Sequence, residues 1–123
     1  MKTPTTHDGG HMFIEWIKAF GASITVMDRN GEILYMNDAA GQVFEKFGGI
    51  DMIGSNVDRC HEAPAMGTIK EMMENNAVNV YTIEKNGQKK MVYQAPWYQN
   101  RSVAGLVSIS MAIPEEMPHF KRT

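Results

Sequence analysis

The chain has 123 residues, enough for one domain with its own core and too few for two. Hydrophobic residues make up 43%, charged residues 21% and the formal net charge is −2, the balance of an ordinary globular chain. Basic residues are scattered, paired only at Lys89-Lys90 and Lys121-Arg122, so no charge feature draws the chain to nucleic acid or to an anionic membrane. A lone cysteine, Cys60, excludes an intrachain disulfide framework. No signal-like apolar segment and no apolar run of about 18 residues occurs, and the expectation is a cytoplasmic protein with no nucleic-acid or membrane partner.

Residues 1–10 are polar and aperiodic and read as a flexible arm or a cloning remnant. In the segment 11–20, Phe13, Trp16, Ile17 and Phe20 fall at i, i+3, i+4, i+7, one face of an amphipathic helix that Gly21 stops. Ala22–Met27 alternates as a strand. Asn30-Gly31 predicts a tight hairpin turn with both residues at positive φ, and Glu32–Met36 is the returning strand. Asn37 or Asp38 caps the next helix by accepting an otherwise orphan backbone N–H. Val43, Phe44 and Phe47 supply that helix's apolar face, and Gly48-Gly49 ends it. Short helical turns are expected over Ile50–Asp58.

Pro64 suits the first turn of a further helix, with an apolar stripe at Met66, Ile69, Met72 and Met73 and an end at Asn75-Asn76. Val78–Lys85, an Asn86-Gly87 turn, Gln88–Tyr98 and Val103–Ile113 are the last three strands, and Pro114 ends the ladder. Helices grouped between two blocks of strands predict an α+β fold, an antiparallel sheet with helices on one face. Residues 114–123 form a tail.

The stretches "GASITVMDRNGEILYMNDAAGQVF" (21–44), "MIGSNV" (52–57) and "GLVSISMAI" (105–113) together resemble a PAS domain, a small sensor module of signalling proteins. The resemblance covers 21–113. "CHE" before the Pro64 helix and "IPEEMPHF" in the tail are similar to a subgroup found in small bacterial proteins. It implies a five-stranded antiparallel sheet with the first hairpin at its middle, short helices walling a cavity on one face, and the N-terminal helix on the other. Asn37 then ties strand to helix, beside structural glycines Gly31 and Gly54.

PAS domains hold flavin, haem, other small molecules or nothing, and the fold alone does not choose. Light-sensing flavin domains place a Cys after Gly-x-Asn; here Gly54-Ser55-Asn56 is followed by Val57, which forms no adduct. The chain is also similar to the photoactive yellow protein family around "NGEILYMNDAAG" and "MIGSNV". That family's Tyr and Glu are replaced by Met36 and Ala40, so p-coumarate chemistry is not supported and Cys60 reads as a small packed side chain. By the same resemblance His61 stands where a non-covalent haem would take its axial ligand, the only metal this reading allows it; a surface or capping role is the plainer account. No two histidines have zinc spacing.

Eleven methionines suit an adaptable wall, and the candidate lining is His61, Met66, Ile69, Met73, Phe44 and Tyr93. No catalytic constellation is apparent, and no enzyme is expected. Phe13, Trp16, Ile17 and Phe20 are the candidate interface, covering the outer sheet face of their own chain or of a second copy in a homodimer. No output domain follows Ile113, so the chain is either a fragment or a module that works through a downstream protein. The function expected is a sensory module that binds a small molecule and relays it through dimer or partner contacts; the alternative is a ligand-free scaffold for association.

Overall fold

The computed structural model describes residues 15–59 and 63–123. Its strands are Ser23–Asp28 (β1), Ile33–Met36 (β2), Asn79–Lys85 (β3), Gln88–Gln99 (β4) and Ser102–Ala112 (β5). They form one sheet in the order β2-β1-β5-β4-β3, every neighbouring pair antiparallel. The five-stranded α+β expectation is met. The order within the sheet differs from it: β5 is the central strand and β2 lies at an edge. Length accounts for the edge position of β2. β5 has 11 residues, enough to pair with all of β1 on one side and with 10 residues of β4 on the other, whereas β2 has four.

The outer edge of β2 is not left bare. The Ile33 N–H donates to the Ser55 carbonyl and the Gly54 N–H to the Ile33 carbonyl, both at 2.8 Å. The 54–57 connector therefore covers an edge that would otherwise offer unpaired backbone groups. Gly54 makes this turn at φ +91°, a conformation other residues rarely adopt.

The two predicted Asn-Gly turns differ. Asn86 and Gly87 both have positive φ, 54° and 77°, as a two-residue hairpin loop requires. At the first turn only Gly31 does, at 85°. There the Asp28 carboxylate accepts from the Asn30 and Glu32 N–H groups, each at 2.9 Å, and the Gly31 N–H returns to the Asp28 carbonyl. That carboxylate selects a longer, bulged loop, so Asn30 needs no left-handed conformation.

The helix after Asn37 spans Asp38–Val43, shorter than expected. The Phe47 N–H bonds to Phe44 rather than to residue 43, which tightens the chain into 3-10 turns at Glu45–Phe47 and Gly49–Met52. Another 3-10 turn, Val57–Arg59, precedes the helix Ala63–Asn75. The buried cluster sits between these helices and one sheet face. Met27, Ile33, Met36, Met52, Val57, Ile69, Met72, Met73 and Leu106 belong to it, with Phe44 and Phe47 packed on its side. Residues 15–18 are helical, and Lys18 pairs with Asp38 at 3.1 Å, a bond that raises the Lys18 pKa. No described helix is long and apolar enough to cross a membrane.

Candidate functional site

An open-mouthed cavity of about 710 Å³ lies between the short helices and the sheet, within the size range of small-molecule sites. Side chains alternate along a strand, so one face of each strand forms its floor: Ser23 and Thr25 of β1, Val92 and Gln94 of β4, Ser108 and Ser110 of β5. Its walls are apolar, from Met36 on β2, Ala39 and Phe44 by the Asp38–Val43 helix, Met52 and Val57 in the connecting turns, and Ile69 on the Ala63–Asn75 helix. Lys85 and Lys90 stand at the mouth beside the β3–β4 hairpin, and no described lining residue is acidic.

The frame of the site is held by Asn37, which is fully buried. Its Oδ1 accepts from the Ala40 N–H at 3.0 Å, capping the helix, and from the Ile24 N–H at 2.9 Å. Its Nδ2 donates to the carbonyls of Ala22 at 2.8 Å and Ile17 at 3.1 Å. One amide thus joins the N-terminal segment, the start of β1 and the first wall helix. Only an amide has donors and an acceptor to do so at once. Gly31 packs so that a Cβ would lie 3.1 Å from the Asn56 side chain, and Asn56 in turn donates to the Asn30 carbonyl at 2.8 Å.

The candidate lining residues part company. Phe44 and Ile69 line the cavity. Met73 is buried in the core and borders a smaller hollow beside Arg29 and Lys70 instead. Tyr93 is a correction: it lies on the opposite sheet face, 40% exposed, because its neighbours Val92 and Gln94 take the cavity side of β4. The polar inner residues of β4 and β5 were missed, since polar alternation in a strand ordinarily marks the solvent side. Their signal was the pairing of Ser108 and Ser110 with Leu106 on one face of β5, and Leu106 is fully buried. Cys60, His61 and the side chain of Met66 lie outside the described residues, as do Phe13 and residues 1–10. Among the described residues the lining carries methionine thioethers but no imidazole, and no three His, Cys, Asp or Glu side chains come together.

On the outer face, pairing sets Val80, Tyr93, Ile109 and Ile24 in one row across the sheet. Trp16 and Phe20 are each half exposed and meet edge to face at 5.9 Å. They leave Val80 and Tyr93 uncovered at 50% and 40% exposure.

No protein-family model and no curated protein matches the sequence. Solved structures do match the fold. VqmA of Vibrio cholerae is 14% identical, with 85% of this chain and 52% of that chain aligned at a TM-score of 0.65; this chain thus spans about half of that protein. The Aer2 receptor of Vibrio cholerae, a dual PAS-haem oxygen sensor, is 15% identical over 76% of this chain and 95% of that chain, TM-score 0.56. A PAS domain from Colwellia psychrerythraea is 17% identical over 89% of this chain and all of that chain, TM-score 0.64. With its sheet order, its wall of short helices and these structural relatives, the chain has the PAS fold.

Proposed function

We propose that this domain is a sensory module that binds a small molecule in the cavity between the short helices and the sheet, and relays its occupancy through a second copy of itself or a downstream protein. The observation that carries this reading is the cavity itself: about 710 Å³ of space, reached by residues of all five strands and both longer helices, where a scaffold would be expected to fill its core. Two structural relatives support it, for Aer2 is a haem oxygen sensor and VqmA has been solved bound to DPO. Relay follows from shared strands. β5 carries Ser108 and Ser110 into the cavity and Val107 and Ile109 to the outer face, so a ligand that binds one arrangement better shifts the other.

The exposed row of Val80 and Tyr93 favours the second reading, a scaffold that only associates. Native mass spectrometry and an absorption spectrum of the purified protein separate the two. A co-purified small molecule, or hydrogen-exchange protection of 102–112 gained on ligand addition, supports the sensor. A bare protein whose exchange no added small molecule alters sinks it and leaves the scaffold. A haem band abolished by His61→Ala would identify the ligand as haem.

A further inference from the structure

The register of the sheet sets Thr25, Ser108, Gln94 and Asn79 side by side, one residue from each of four adjacent strands. Three of them line the cavity floor. Asn79 Nδ2 donates to Gln94 Oε1 at 3.2 Å, which engages one lone pair of the buried Gln94 amide oxygen and leaves its NH2 as a donor. Thr25 is buried, 6% exposed, and its hydroxyl has no hydrogen-bond partner. A buried hydroxyl without a partner is a standing cost that a native core normally removes.

From this row we infer that the cavity selects a neutral molecule with one hydrogen-bonding edge and an apolar body, its polar edge seated on Thr25, Ser108 and Gln94. The inference rests on the cavity being a ligand site. Hydroxyls and an amide match a hydroxyl, a carbonyl or a ring N–H, while Met36, Met52 and Ile69 enclose the apolar part. A charged group on this row would be desolvated without a counter-charge. The nearest cationic lining residue along β4 is Lys90, four residues from Gln94, or roughly 13 Å at the rise of a strand.

Three matched probes test it by backbone-amide NMR titration at millimolar concentration: 4-ethylphenol, ethylbenzene and 4-ethylbenzoate. The expected result is shifts at Thr25, Ser108 and Ile69 with 4-ethylphenol bound tightest, by about tenfold over ethylbenzene, the worth of one good hydrogen bond. Combining Thr25→Val with Ser108→Ala should weaken that preference, leaving only what Gln94 supplies, and leave ethylbenzene binding unchanged. Thr25→Val alone should leave the empty protein as stable as the wild type or more so, which separates loss of binding from loss of fold. Shifts at these residues with ethylbenzene equal to 4-ethylphenol, or with 4-ethylbenzoate tightest, overturn the inference and leave the cavity as a ligand site. Absence of shifts with all three probes overturns the ligand site as well.

Discussion

The indole N–H of Trp97 donates to the backbone carbonyl of Met27 at 2.9 Å, and the bond passes over Gly105. The geometry explains the glycine. Gly105 pairs with Trp97 on one side and Asp28 on the other. A Cβ there would collide with the Met27 carbonyl oxygen and come within 2.7 Å of Trp97 Nε1. Gly105→Ala should therefore destabilise the fold by about 3 kcal/mol or more, the scale of strain in a packed sheet. Trp97→Phe, which loses this hydrogen bond, should cost about 0.5–1.5 kcal/mol. Urea unfolding of both variants checks the order; a Gly105→Ala protein as stable as wild type would contradict the register.

Asn37 supports a second prediction. Replacing it with Ala removes a helix cap and strands the Ile24 N–H and the Ala22 carbonyl, both bound to it now. The expected loss is about 2–4 kcal/mol. Asn37→Asp keeps the acceptor for Ala40 and Ile24 but sets a carboxylate against the carbonyls of Ala22 and Ile17, so it should destabilise too. Hydrogen exchange should show both variants losing protection at 22–24 and 38–41 first.

The β4–β5 turn carries Asn100 and Arg101 at φ 52° and 67°. Arginine has no local bond to offset a left-handed backbone, which costs about 1–2 kcal/mol for a residue with a Cβ. Arg101→Gly should therefore stabilise the domain by roughly 0.5–1 kcal/mol after the entropy that glycine adds to the unfolded chain. Thermal denaturation gives the sign directly, and a lowered midpoint would refute the strain.

The outer face can be tested without touching the cavity. Val80 and Tyr93 are cross-strand partners and both exposed. If this surface joins two copies, Tyr93→Glu should shift the sedimentation profile from dimer to monomer while the unfolding free energy at low protein concentration stays within about 0.5 kcal/mol of wild type. An oligomeric state unmoved by Tyr93→Glu and Val80→Glu together would place the association surface elsewhere.

Local chemistry makes most of the architecture readable in the sequence. Asn86-Gly87 announces a hairpin because both residues tolerate positive φ, Asn37 or Asp38 announces a helix because its side chain can replace a missing backbone partner, and the alternation in 103–113 announces a strand. What local chemistry does not contain is the identity of the inward face. On β4 and β5 both faces carry apolar bulk, so the pattern favours neither Tyr93 nor Gln94. Tertiary pairing decides it: Leu106 pairs with Met27 and both enter the core, and alternation then carries Ser108, Ser110 and Gln94 inward and turns Tyr93 out. The Gly105 contact is likewise invisible in sequence, because Met27 and Trp97 lie 70 residues apart along the chain and meet only when β1 and β4 flank β5. Turns and caps are decided between neighbours in sequence; which face of a strand meets a cavity is decided by strands that are distant in it.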